Sequence, residues 1–198
     1  MSILGDRAVL VPVKAFSDAK RRLGAALSDE ARRELAQRMA ARVLAAGRPL
    51  SVAVVCDDPE VAQWARAHEA LVIWEPGRGL NGAVEAGVER LASMGVRQVV
   101  VAHGDLPHAS GLAELGPFEG VTLVPDRHGD GTNVIELPSR SGFRFSYGPG
   151  SFARHRTEAE RLGLGTRVLW LPSLSYDVDV PGDLEAARLD GGDPSRRT

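Results

Sequence analysis

The chain has 198 residues, 43% of them hydrophobic, a formal net charge of -2 and a single cysteine, Cys56. This is apolar material for one packed domain, and one cysteine excludes an internal disulfide or a cysteine-ligated zinc site. No run is long and apolar enough to span a bilayer, and a near-neutral charge gives no footprint for nucleic acid, so neither membrane nor nucleic acid is an expected partner. The sequence opens without the charged, apolar, small-residue pattern of a secretory leader, which makes the cytoplasm the expected location. Basic residues still gather at Lys14, Lys20, Arg21 and Arg22 and again at Arg154, His155 and Arg156, an arrangement suited to small anionic ligands.

Ala8 to Lys14 is an apolar run with strand character, ended or bent by Pro12, which cannot donate to a ladder. A polar loop from Ala15 to Leu27 follows. Ser28-Asp29-Glu30 then opens a helix with a hydroxyl cap and acids in the first turn. Leu35, Met39 and Val43 form its buried stripe, and Gly47 and Pro49 end it. Ser51–Cys56 is a second strand, Glu60–His68 a short helix and Leu71–Trp74 a third strand. A glycine-rich loop from Glu75 to Gly82 leads into a helix from Gly82 to Met94, with Val84, Val88 and Leu91 on one face.

Val99-Val100-Val101-Ala102 reads as a strand buried on both faces, since three β-branched residues in a row leave no solvent side. His103-Gly104-Asp105-Leu106-Pro107 closes it. Val121–Val124 and Val134–Leu137 are further strands; the stretch from Val121 to Ser151 breaks the alternation and predicts an added antiparallel strand and a substrate-side wall. Phe152–Leu162 reads as a helix and Val168–Leu171 as a late strand, with Trp170 in the core or in a dimer contact. A last short helix runs to Leu189, and the Gly-, Asp- and Arg-rich residues 190–198 are expected to fray as a disordered tail. Strands alternating with helices predict an α/β fold in three layers. A mostly parallel twisted sheet carries helices on both faces and a small antiparallel insertion, all in a single domain over residues 1–189.

Ligands of open α/β sheets bind at the carboxyl ends of the strands. Asp105, just past the central strand and beside a glycine, is placed either to hold a hard metal ion or to cap a helix beginning near Pro107. Asp177 and Asp179 alternate along an extended segment and point the same way, as metal acids would; the alternative makes Asp179 and Asp183 turn and cap residues around Pro181. The basic loop with Lys14, Lys20 and Arg22 follows the first strand; it can neutralise a triphosphate or simply face water, and it is no Walker loop. The glycines from Gly77 to Gly82, with Asn81 among them, suit a base or an anion, or a plain strand-to-helix turn. Thr132 and Ser151 offer hydroxyls, Gly148 and Gly150 exposed amides, and Ser151 stands where a helix begins, a natural anion site as well as an ordinary cap. The histidines have no metal-ligand spacing, and His103 and His155 read as structural.

Taken in order, Pro12-Val13-Lys14, Ala19-Lys20-Arg21-Arg22-Leu23, Gly79-Leu80-Asn81, Gly104-Asp105-Leu106-Pro107, Gly129-Asp130-Gly131-Thr132-Asn133, Gly148-Pro149-Gly150-Ser151 and Asp177-Val178-Asp179-Val180-Pro181 resemble one family. It is that of the 2-phospho-L-lactate or phosphoenolpyruvate guanylyltransferases of deazaflavin coenzyme F-420 biosynthesis, and the likeness runs from about Val9 to Leu184. The resemblance implies a nucleotide-diphospho-sugar transferase-like fold of the molybdopterin-guanylyltransferase type. It also implies Mg²⁺ as cofactor and GTP and a small phosphorylated carboxylic acid as partners. Carried over, Thr132, Gly148 and Ser151 bind the phospho-acid, and Lys14, Lys20, Arg22 and Asn81 bind the nucleotide. Asp105, Asp177 and Asp179 bind the metal, and Lys20, Arg22 and Asp105 carry the catalysis. Val180 departs from the pattern, where nucleotidyltransferases of this kind often have threonine. A homodimer and a hand-over of product to the downstream transferase of the pathway are further partners the reading allows. Two rivals stay open: a nucleotidyltransferase with a molybdopterin, sugar-phosphate or 3-phosphoglycerate acceptor, and a non-catalytic nucleotide-binding module.

Overall fold

In a computed structural model that describes residues 4–178 and 181–184, seven strands form one sheet. The strands are β1 (Arg7–Pro12), β2 (Ser51–Cys56), β3 (Leu71–Trp74), β4 (Gln98–Ala102), β5 (Val121–Pro125), β6 (Thr132–Pro138) and β7 (Thr166–Val168). The helices are α1 (Asp29–Gly47), α2 (Pro59–Ala67), α3 (Gly79–Ser93), α4 (Ser151–Arg161) and the short α5 (Pro172–Ser175). The spatial order is β3-β2-β1-β4-β6-β5-β7. Each neighbouring pair is parallel except β4–β6 and β5–β6, so β6 alone runs against the rest.

The sheet separates two apolar layers, as strand alternation requires. Val9, Val11, Val54, Val100 and Ala102 face a cluster with Ala36, Ala40 and Val43 of α1, Val61 and Ala65 of α2 and Leu174 of α5. Ala8, Leu10, Val55, Val99 and Val101 face the opposite cluster with Val84, Val88 and Leu91 of α3 and Ala159 of α4. Val99, Val100 and Val101 have no solvent exposure, as an unbroken valine run predicts. This is the expected three-layer architecture.

Two local expectations change, and one is located. The expected antiparallel strand is present as β6, and its place, which the sequence left open, is inside the sheet between β4 and β5. Helix α3 begins at Gly79 rather than Gly82, because the first turn of a helix asks for no internal amide partners and tolerates glycine. The last strand ends at Val168, and Pro172 starts a helical turn instead, leaving Trp170 59% exposed rather than in the core. Of the last short helix expected to reach Leu189, residues 181–184 are helical; residues 185–189, the tail at 190–198, Asp179 and Val180 lie outside the described residues.

The β5–β7 junction gives a direct test of packing. Val121 N–H donates to Gly165 O at 2.8 Å, and a Cβ on Gly120 would sit 2.0 Å from that same oxygen. Neither backbone can move without losing the ladder, so Gly120→Ala should cost about 3 kcal/mol in urea unfolding. Ser28→Ala, which removes the oxygen accepting from Ala31 N–H at 3.2 Å, should cost about 1 kcal/mol. Equal costs would refute this account of the junction.

Candidate active site

The carboxyl ends of β1 and β4 lie side by side, and two charged side chains 85 positions apart meet there. After β4 the chain passes through His103 and Gly104 to Asp105, where the side chain keeps 27% of its exposure. Lys20 reaches it from the loop after β1, placing Nζ 2.6 Å from Asp105 Oδ2. The lysine manages this in a left-handed backbone conformation, φ 55°, which a side chain bearing a Cβ adopts only at a cost of about 1 kcal/mol. The surrounding turn is pinned by Leu23, which is wholly buried. Lys14 and Arg22 stay exposed on the same loop, and Arg21 pairs with Asp18. Only Lys20 of the basic set therefore turns inward.

Burial pushes the Asp105 carboxyl up, but the Lys20 ammonium, His103 and its own hydrogen bonds outweigh that and hold it below the usual carboxylate range. The second oxygen, Oδ1, is buried with no hydrogen-bond partner among the described residues. An ionised oxygen left unpaired at a sheet edge fits a hard cation, which needs one or two carboxylates when phosphate oxygens and water complete its shell. Asp177 lies on a segment tied to the same edge. Asn133 Nδ2 donates to Leu174 O at 3.1 Å, the Tyr176 ring packs on His108 at 5.9 Å, and Arg127 donates to the Asp177 carbonyl at 3.2 Å and to Asp183 at 2.5 Å. Among the described residues no three His, Cys, Asp or Glu side chains converge, and Asp179 lies outside them.

Because β6 is antiparallel to β4, the start of β6 adjoins the end of β4: His103 N–H donates to Asn133 O at 3.0 Å. Thr132 thereby sits one residue from that junction. Its N–H donates to Ser151 Oγ at 3.0 Å, so the Ser151 oxygen accepts from β6, and Ser151 is the first residue of α4, with Gly150 in the cap position instead. Gly148 and Gly150 have φ of 113° and 72°, which bends the loop sharply into the helix and suits glycine alone. The expected exposed amide at Gly150 is not free: it donates to Asp130 Oδ2 at 2.9 Å, and Phe152 N–H donates to Asp130 O at 3.0 Å. The Gly148 amide makes no hydrogen bond among the described residues. Asn81 Oδ1, expected near a nucleotide, accepts from Tyr147 N–H at 2.8 Å and moors this loop to α3. Arg154 does the same from α4, donating to Ser146 O at 2.7 Å and to Pro149 O at 2.5 Å.

His155, which reads as structural in the sequence, is wholly buried, and only the fold shows its partners. Its Nε2 accepts from Ser146 N–H at 3.0 Å and its Nδ1 lies 3.0 Å from Thr132 Oγ1. Burial above all, with Arg154 and His103 nearby, pulls its pKa down to about 4. The available signal was its place four positions after Ser151, on the same helix face.

Residues 7–197 match a protein-family model described as guanylyl transferase CofC like. The chain belongs to this family. Phosphoenolpyruvate guanylyltransferase of Sphaerobacter thermophilus is 36% identical over 185 residues, covering 89% of each chain. The enzyme of the same name from Conexibacter woesei is 38% identical over 192 residues, 90% of this chain and 86% of its own. The 2-phospho-L-lactate guanylyltransferase of Methanocaldococcus jannaschii is 28% identical over 191 residues, 93% of this chain and 84% of its own. In fold, the CofC-like chain resembles a Desulfovibrio desulfuricans protein provisionally described as a nucleotide-diphospho-sugar transferase. That likeness has a TM-score of 0.76 at 18% identity and covers 100% of this chain and 92% of the other.

The depressed histidine has a thermodynamic consequence. Between pH 6.5 and about 4 the unfolded chain takes up a proton at His155 that the folded chain refuses, so stability falls as pH drops through this window. The loss should approach about 3 kcal/mol at its acid end. In His155→Phe that part of the slope should vanish from urea-unfolding curves taken across the window; an unchanged slope would disprove the assignment.

Proposed function

We propose that this chain transfers GMP from GTP to the phosphate of phosphoenolpyruvate, forming the guanosine diphospho-acid that passes to the downstream transferase of coenzyme F-420 biosynthesis. A phosphate oxygen of the acceptor attacks the α-phosphorus of GTP in line. The bond from the α-phosphorus to the bridging oxygen breaks, and pyrophosphate leaves with the electron pair. The acceptor is already an anion at neutral pH, so the protein needs no nucleophile of its own; it must bring two anions together and neutralise them. Lys14, Lys20, Arg22 and Asn81 take the nucleotide, with Lys20 and Arg22 offsetting charge on the leaving pyrophosphate. Thr132, Gly148 and Ser151 take the phospho-acid. Asp105 and Asp177, with Asp179, would hold Mg²⁺, which when bound supplies positive charge to the phosphate oxygens.

The observation that carries this reading is the unpartnered, ionised Asp105 oxygen beside the Lys20 ammonium. It is a paired positive and negative anchor at the edge where α/β sheets hold their ligands. Phosphoenolpyruvate is favoured over 2-phospho-L-lactate by the relatives at 36% and 38% identity, both named for it, against 28% for the archaeal enzyme named for the lactate.

Offering each nucleoside triphosphate with phosphoenolpyruvate, 2-phospho-L-lactate and 3-phosphoglycerate should release pyrophosphate fastest with GTP and phosphoenolpyruvate. Faster turnover with another pair would replace the proposed substrates, and GTP binding without pyrophosphate release for any acceptor would leave a binding module. Chelation of divalent cations should stop turnover and Mg²⁺ should restore it. Asp105→Asn should lower kcat by roughly a hundredfold or more with an unchanged circular dichroism spectrum. Near-normal turnover of that variant would remove the metal assignment.

A further inference from the structure

The hydrogen bonds around His155 have a fixed direction. A backbone amide can only donate, so Ser146 N–H makes His155 Nε2 an acceptor, and the neutral ring must carry its proton on Nδ1. Nδ1 therefore donates, and Thr132 Oγ1 accepts. An oxygen that accepts from the ring must send its own proton elsewhere. The same holds for Ser151, whose oxygen accepts from Thr132 N–H. Neither hydroxyl has an acceptor among the described residues, although Thr132 and Ser151 are both buried. Two hydroxyl protons are thus left to donate, beside the unbonded Gly148 amide two residues beyond Ser146. Aromatic rings hold the imidazole from several sides: Tyr147 at 4.9 Å, Phe143 at 5.7 Å and Phe145 at 6.2 Å. Such packing locks the orientation on which the donor pattern depends.

We propose that His155 is a positioning residue for acceptor binding. Its Nδ1–H fixes the Thr132 hydroxyl as a donor toward the phospho-acid, and its Nε2 holds Ser146 so that the Gly148 amide keeps its place. This rests on the reading that Thr132 and Gly148 contact the acceptor. His155 touches no substrate; it acts through the polarity it imposes. A ring with a proton on Nε2 would face the Ser146 amide with a second donor and leave Thr132 free to turn its proton inward to Nδ1. The preference for an anionic acceptor is then built into one tautomer, chosen by one backbone amide.

A double-mutant cycle tests this. Thr132→Val and His155→Phe should each raise KM for phosphoenolpyruvate about tenfold, the size expected when a hydrogen bond to a charged group is lost, while KM for GTP moves less than about twofold. The double variant should be no more than about twofold worse than the poorer single one, because both changes remove the same donor. Effects that multiply to about a hundredfold would make His155 a packing residue and overturn the proposal. So would a GTP KM that rises as much as the acceptor KM. If Thr132→Val raises the acceptor KM and His155→Phe does not, the proposal falls and the Thr132 reading stands; if Thr132→Val has no effect, both fall. Should His155→Phe fail to fold, His155→Gln, which keeps a donor and an acceptor on one amide, enters the same cycle, and its acceptor KM should lie between those of the wild type and Thr132→Val.

Discussion

The reversal of one strand arranges this molecule's chemistry. Were β6 parallel to β4, its first residues would lie at the far end of the sheet from Asp105. Running antiparallel, β6 begins where β4 finishes, and Ala102 pairs with Val134. The loop that carries the Asp105 carboxylate and the strand that opens with Thr132 therefore share one edge, joined by the hydrogen bond from His103 to Asn133. Asn133 also fastens the C-terminal segment through Leu174. One residue at a strand start thus couples three loops at this edge of the sheet. The buried valines of β4 make that edge stiff, since they fit only one register between β1 and β6.

Electrostatics at the edge follow from the reaction's demand. Two phosphate-bearing molecules repel, and the site must oppose that without ligands present. Burial alone would push the Asp105 carboxyl up, and the Lys20 ammonium held 2.6 Å away helps to keep it below the usual carboxylate range. The cost of bringing Lys20 inward appears as its left-handed backbone, a strain that the buried Leu23 and the turns around it sustain. The exposed Lys14 and Arg22 contribute charge of another sort: screened and mobile, suited to a triphosphate tail in solvent rather than to a fixed reacting centre.

Much of this was legible in the residues. The β-branched runs at Ser51–Cys56 and Leu71–Trp74 delimit their strands, and Ser28 caps α1 as its hydroxyl and the following acids require. The position of Asp105 at the carboxyl edge follows from the valine strand and Pro107 alone. What local pattern does not encode is pairing between distant elements. The runs at β5 and β6 look alike, and nothing in either says that the later strand inserts between β4 and the earlier one. Likewise Val168 to Leu171 has the apolar character of a strand, yet pairing with β5 stops at Val168 and Trp170 turns outward against Phe152. Asn81 and Ser151 read in the sequence as ligand-facing polar groups, whereas in the fold their oxygens accept from the Tyr147 and Thr132 amides, a use that only the folded chain displays.

The least legible residue is the one with the most exacting environment. Between Arg154 and Arg156, His155 reads as part of a basic patch, but helical geometry sends its neighbours to the exposed side of α4 and turns His155 into the sheet. There burial favours the neutral ring, and a second ring proton would point at the Ser146 amide. Neutrality in turn makes the ring directional, with one nitrogen giving and the other receiving. The direction passes to Thr132 and frees its hydroxyl proton, while the Thr132 amide passes a second constraint to Ser151. A chain of hydrogen bonds that begins with one backbone donor thus fixes the direction of the Thr132 and Ser151 hydroxyls, with no formal charge on any of its members.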